Sequence, residues 1–214
     1  MKVIQRNQTF GEELANAITH GIGCALAIAA LPILSINAAQ HGSAHDVVGA
    51  SIFGSTMILM YLASTIYHAL PAGRVKAWMN RADHAAIYIF IAGSYTPFTL
   101  GLLRGSWGWS LFGLVWTIAA IGVVLKLLQR LNSPLLSTGL YLLMGWLILA
   151  ATGQLLEKMP TAGLLWLLAG GLSYSVGAVV FIFDSRFKYA HCFWHLFVIG
   201  GTVCHFFAAL RYGY

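Results

Sequence analysis

The chain has 214 residues, of which 59% are hydrophobic and 8% charged, against roughly 25% charged in an ordinary globular domain. So few charges cannot cover a water-soluble fold of this length, which leaves an all-α polytopic membrane protein. The net charge of +6 does not point to nucleic acid, because the basic residues are scattered through short links between apolar runs, as membrane topology requires.

The amino-terminal segment, MKVIQRNQTFGEELANAITHG, does not read as a cleavable signal. Glu12, Glu13, Asn16 and His20 interrupt the run that would form its apolar core. Seven apolar stretches follow, at about 17–39, 47–70, 84–103, 109–128, 135–156, 164–183 and 192–210. Each is close to the ~20 residues that cross the hydrocarbon core. The links QHGSAHD, PAGRVKAWMNRAD, RGSWG, QRLNSP, EKMPTAG and DSRFKYA are short, so consecutive helices are antiparallel neighbours. Residues 1–214 therefore read as one domain, a seven-transmembrane helix bundle. No internal repeat marks an inverted-repeat transporter. Pro97 is expected to kink the third stretch. Cys24, Cys192 and Cys204 form no CxxC and read as small buried hydrophobes. Trp78, Trp107, Trp109 and Tyr189 fall near the expected interfaces.

Lys and Arg set the orientation. Lys2, Arg6, Arg74, Lys76, Arg81, Lys126, Arg130, Arg186 and Lys188 fall on one side, and Arg104, Lys158 and Arg211 on the other. Nine against three puts the N-terminus in the cytoplasm and the C-terminus outside.

Four groups of polar residues then interrupt the spans. Glu13, Asn16 and His20 share one stripe of the first helix. Ser64 and His68 are four apart near the end of the second. Asp83 and His84 open the third, and His191 and His195, four apart on one face, open the seventh. Under the alternating topology all four ends lie at the cytoplasmic side. Burying an unpaired charge in a membrane costs at least about 2.5 kcal/mol, so Asp83, His68 and the His191/His195 pair should lie together, paired or on a metal. Three neutral imidazoles suit Zn²⁺ and leave a fourth position for water. Asp83 can then act as general base, and Ser64 can donate to the cluster or to developing negative charge.

Plainer readings apply elsewhere. His84 points about 100° from Asp83 on a helix and reads as an interface residue. His205 lies about 15 Å beyond His195 along the helix axis, outside any shared metal sphere, and reads as a core histidine. Glu12 reads as solvated, His41 and His45 as solvated loop residues, and Asp184 with Arg186 and Lys188 as loop charge. Glu13, Asn16 and His20 also fit a simple role in capping and packing the first helix.

Taken in order, Glu13-x2-Asn16-x3-His20, Ser64-x3-His68 followed by Asp83, and His191-x3-His195 resemble the motifs of the hemolysin III branch of the progestin and adiponectin receptor (PAQR) family. The likeness covers nearly the whole chain, and the short N-terminus is similar to that of the bacterial inner-membrane members. The resemblance implies a seven-helix bundle with an intramembrane zinc near the cytoplasmic face. By motif, His68, His191 and His195 would be the ligands, and Ser64 and Asp83 would lie near the zinc-bound water; Glu13, Asn16 and His20 would stand behind the ligands. Alkaline ceramidases belong to the wider superfamily, so the resemblance implies a hydrolase-like zinc site acting on lipid amides or esters, a partnership with membrane lipids, and a place in lipid homeostasis. The alternatives are a non-enzymatic sensor of bilayer state with structural zinc and, last, a pore-former.

Overall fold

The computed structural model describes residues 8–214. Lys2 and Arg6, counted above for orientation, lie outside them, as does the start of the segment read against a signal. The described chain is helical, with no strand among the described residues. It forms α1 (Phe10–His41), α2 (Ala44–Ala69), α3 (Arg74–Leu100), α4 (Ser106–Leu127), α5 (Pro134–Gly145), a 3₁₀ turn (Trp146–Ala151), α6 (Thr152–Lys158), α7 (Thr161–Ile182) and α8 (Ala190–Tyr212).

α1 starts at a capping box, well before the apolar run. The Thr9 side chain accepts from the Glu12 N–H, and the Glu12 carboxylate accepts from the Thr9 N–H at 2.9 Å. The polar stripe of Glu13, Asn16 and His20 is therefore part of a regular helix. Glu12, expected to be solvated, is 2% exposed. Its carboxylate also accepts from the Tyr189 N–H at 2.9 Å. Tyr189 is the residue before α8 and sits in the left-handed region at φ 60°, a conformation that costs a non-glycine residue energy. The Glu12 bond holds it there and so fixes where α8 begins.

Among the described residues, six helical segments are long and apolar enough to cross a membrane: α1, α2, α4, the run Pro134–Lys158, α7 and α8. α3, expected as a further span, is not among them. Its first turns carry Arg74, Lys76, Arg81 and Asp83, and from Asp83 to Leu100 most of its residues are enclosed by other helices. The helix also starts at Arg74, not near 84, and runs on through Pro97 to Leu100. Consecutive helices pack side by side from α1 to α4, α7 packs on α8, and α8 returns to α1.

The stretch expected as one span at 135–156 is interrupted. In a continuous α-helix the Ile148 N–H would bond the Met144 carbonyl. Here the Tyr95 hydroxyl of α3 stands between them. It accepts from the Ile148 N–H at 3.0 Å and donates to the carbonyls of Met144 and Gly145 at 2.8 and 2.6 Å. A side chain inserted into the ladder in this way breaks the helix, and the 3₁₀ turn begins at Trp146.

Candidate metal centre

Four helices bring the polar residues to one end of the bundle. α1 supplies Glu13, Asn16, Thr19 and His20 from its first turns. α2 supplies Ser64 and His68 from its last turns. α3 supplies Asp83, and α8 supplies His191 and His195 from its start. Among the described residues, His68, His191 and His195 form a group whose potential ligand atoms all lie within 4.8 Å of one another. Their ring centroids are 5.0, 5.1 and 4.7 Å apart pairwise. Tetrahedral zinc with bonds of about 2.0–2.1 Å places its nitrogens ~3.3 Å apart, so a modest ring rotation brings the three onto one ion.

Each ring is held through its Nδ1. His68 Nδ1 donates to Glu13 Oε2 at 2.7 Å, and the other Glu13 oxygen pairs with Lys76 Nζ at 2.9 Å. His191 Nδ1 lies 3.1 Å from Asp184 Oδ2. His195 Nδ1 lies 3.2 Å from Thr19 Oγ1. The Thr19 hydroxyl donates its proton to the carbonyls of Ala15 and Asn16, so it accepts from His195. Carboxylates and a committed hydroxyl thus place the proton on Nδ1 in all three rings and leave Nε2 with a free lone pair. That is the arrangement by which metal-ligating histidines are oriented. The fit to a metal is sharpest at His68: its Nε2 is buried and has no hydrogen-bond partner among the described residues, an uncompensated acceptor that an ion would satisfy.

Other expected residues stand around this group. His20, 3% exposed, stacks on His195 with ring centroids 3.4 Å apart and planes 11° apart. Neither of its nitrogens has a partner among the described residues, and Asn16 donates to Gln8 while its own Oδ1 has none. His20 and Asn16 therefore lie behind or beside the ligands and outside the three-histidine group. Ser64 and Asp83 are buried and stand in the wall of the same cavity. His84 turns its Nδ1 to the Asn80 carbonyl at 2.7 Å and is not part of the group. His205 is also outside it. Asp184, read as loop charge, is instead the partner of His191. Lys76 was read only as a charge that sets orientation, and Thr19 was not singled out. The four-residue step from Ala15 to Thr19 on the polar side of α1 was the available signal for Thr19; nothing in the spacing marked Asp184.

A cavity of about 120 Å³ adjoins the group. Ser64, Asp83, His20, His191 and His195 stand in its wall, and most of the remaining lining is apolar. An apolar pocket with a few convergent polar groups is the usual form of a small-molecule site.

Comparison with known proteins identifies the family. Residues 8–206 match the family model described as Haemolysin-III related. The chain is 44% identical over 211 residues to Hemolysin-3 of Bacillus cereus, covering 99% of this chain and 96% of that one. It is 46% identical over 204 residues to a Hemolysin-3 homolog of Bacillus subtilis, covering 95% of each. At 29% identity over 216 residues it is also similar to the human Monocyte to macrophage differentiation factor, covering 95% of this chain and 85% of that protein. With its three motifs gathered at one end of a helical membrane bundle and a family match that spans almost its whole length, this chain belongs to the haemolysin-III-related family.

Proposed function

We propose that this protein is a zinc-dependent hydrolase of the bacterial inner membrane that cleaves a lipid amide or ester and acts in membrane-lipid homeostasis. In this reading α3 is a seventh span, residues 1–214 form one domain, the N-terminus is cytoplasmic, the C-terminus is periplasmic, and the site lies near the cytoplasmic leaflet. The observation that carries the reading is the cavity: His191 and His195 line it, it is mostly apolar, and Asp83 and Ser64 stand in its wall. A zinc whose role was only to tie helices together would not need an adjoining chamber with a carboxylate beside it.

When bound, zinc supplies Lewis acidity toward a carbonyl oxygen and lowers the pKa of water. The protein's own residues do the rest. His68, His191 and His195, oriented by Glu13, Asp184 and Thr19, would hold the metal. Asp83 takes a proton from the attacking water and returns it to the leaving group. Ser64, in the same cavity wall, donates to the negative charge that develops beside Asp83. The apolar wall holds the lipid chain and excludes bulk water.

The test is a broad panel of lipid amides and esters offered to purified protein at full zinc occupancy. Cleavage of one class, lost in Asp83→Asn with zinc retained, is the expected result; no cleavage anywhere ends the enzymatic reading. One observation favours a second reading, a non-enzymatic regulator with structural zinc. Glu13 of α1 joins His68 of α2 to Lys76 of α3, so a metal on His68 would cross-link helices. A lipid-dependent phenotype that survives Asp83→Asn would select that reading.

A further inference from the structure

The cavity beside the three histidines does not stop near them. It continues along α8 to His205, and a smaller chamber next to Tyr95, Trp146 and Gly171 also borders His205. On one helix His195 and His205 are separated by ~15 Å along the axis. Between them the wall is apolar, with Met60, Ile87, Ile91, Leu142 and Val198.

His205 is built into its place. A Cβ on Gly170 would collide with Cδ2 of the His205 ring, so the glycine makes the room for it. The ring meets Tyr174 edge to face at 5.3 Å between centroids. Its Nε2 lies 3.3 Å from the Leu167 carbonyl. A carbonyl only accepts, so Nε2 carries the proton and Nδ1 is a bare acceptor. That Nδ1 is buried and has no partner among the described residues.

The neighbouring polar groups cannot supply the missing donor. The Tyr95 hydroxyl donates to Met144 and Gly145. The Tyr174 hydroxyl is engaged with Thr202. Ser94 donates to Ile91, and Ser175 donates to Gly171. The protons of these groups are all committed, so none of them is donated to Nδ1. A hydroxyl carried on an apolar chain brings the donor together with a body that suits the wall.

We infer that His205 is a second recognition point at the far end of the cavity: the occupant is a long-chain amphiphile with a hydroxyl partway along its chain, which donates to His205 Nδ1 while the polar end of the molecule sits at the three histidines. This rests on the reading that the cavity takes a lipid chain, and it specifies which chain.

The experiment uses the full-length, metal-loaded protein in lipid nanodiscs. Trp146 and Trp194 stand in the cavity wall, so brominated octadecanoic acid serves as the probe that quenches them. Octadecanoic acid and its positional hydroxy isomers are then compared as competitors. Isomers with the hydroxyl in the far part of the chain should bind roughly tenfold tighter than octadecanoic acid, the scale of one well-made hydrogen bond to an otherwise unmet acceptor. Isomers hydroxylated near the carboxylate should show no such gain. His205→Phe keeps a ring beside Gly170 and removes the acceptor, and it should erase the difference while leaving octadecanoic acid binding unchanged. Equal binding across the isomers, or a preference that persists in His205→Phe, overturns the assignment of His205 alone. Absence of quenching by the brominated acid overturns the lipid-chain reading of the cavity, and the assignment with it.

Discussion

Replacing Glu13 by Gln tests whether the carboxylate behind His68 sets the affinity of the metal centre. The substitution keeps the shape and removes the charge. His68 Nδ1 makes a 2.7 Å bond to Glu13 Oε2, and the His68 side chain is 1% exposed against 21% for Glu13, so water cannot easily replace the lost partner. A charge-assisted bond is roughly twice as strong as a neutral one. The remaining Glu13 oxygen is paired with Lys76 at 2.9 Å, and a glutamine there leaves an ammonium facing the site. Loss of a partner of this kind typically lowers metal affinity 10–100-fold, roughly 1.4–2.7 kcal/mol. Glu13→Gln should fall in the upper half of that range. Asp184→Asn should lie nearer the lower end, because its contact to His191 is 3.1 Å and its side chain is 27% exposed. The assay is zinc competition against a chelator of known affinity, on detergent-purified protein. An unchanged affinity in Glu13→Gln, or a larger loss in Asp184→Asn than in Glu13→Gln, refutes the reasoning that the shorter, drier contact orients the ligand.

Three further outcomes are expected. His68→Ala should abolish stoichiometric zinc, measured by elemental analysis, and lower the Tm, because it removes a proposed ligand and leaves Glu13 without its imidazole partner. Tyr95→Phe should cost about 1–3 kcal/mol of stability, the penalty of unmet buried groups, seen in thermal unfolding; no change would mean that the Ile148 N–H closes onto Met144 and the span becomes a continuous α-helix. Gly108→Ala should destabilise by about 1–3 kcal/mol or more, since the new Cβ would meet the Thr99 and Leu103 carbonyl oxygens of the preceding segment, and wild-type stability in that variant would contradict the close backbone approach.

Most of the candidate centre was legible because its residues come from helices whose spacing is regular. The four-residue steps from Ser64 to His68 and from His191 to His195 place each pair on one face, and the alternation of short links carries those faces to one end of the bundle. What spacing does not encode is which nitrogen points where. Glu13 was visible as part of a stripe, but its role depends on the Nδ1 of His68 on the next helix. Asp184 was read as loop charge because it lies in the turn after α7, where no period applies, and a charge beside Arg186 and Lys188 reads as solvated. Glu12 was misread for a related reason: the turn that brings the Tyr189 N–H to it is fixed by tertiary packing. The break at Trp146 had only a weak local cue, Gly145 just before it. The run from 135 to 156 contains no proline, and the hydroxyl that opens it belongs to α3.

α3 explains why apolarity alone undercounts the helices that matter. A helix must be apolar where it meets lipid, because lipid cannot satisfy polar side chains. α3 is flanked by α2 and α4, and its Asp83–Leu100 portion is largely shielded, so its side chains answer to neighbouring helices instead. That freedom is what lets it carry Asp83 into the cavity wall, lend Lys76 to Glu13 and push the Tyr95 hydroxyl into the opposite span. The most enclosed helix can therefore be the least hydrophobic one, and the one most involved in the site. Substitutions that make its first turns more apolar, such as Lys76→Leu, should raise its propensity to insert while weakening the Glu13–His68 contact. Zinc affinity and membrane insertion would then move in opposite directions, and a variant in which both rise would break the link drawn between α3's polarity and the centre it serves.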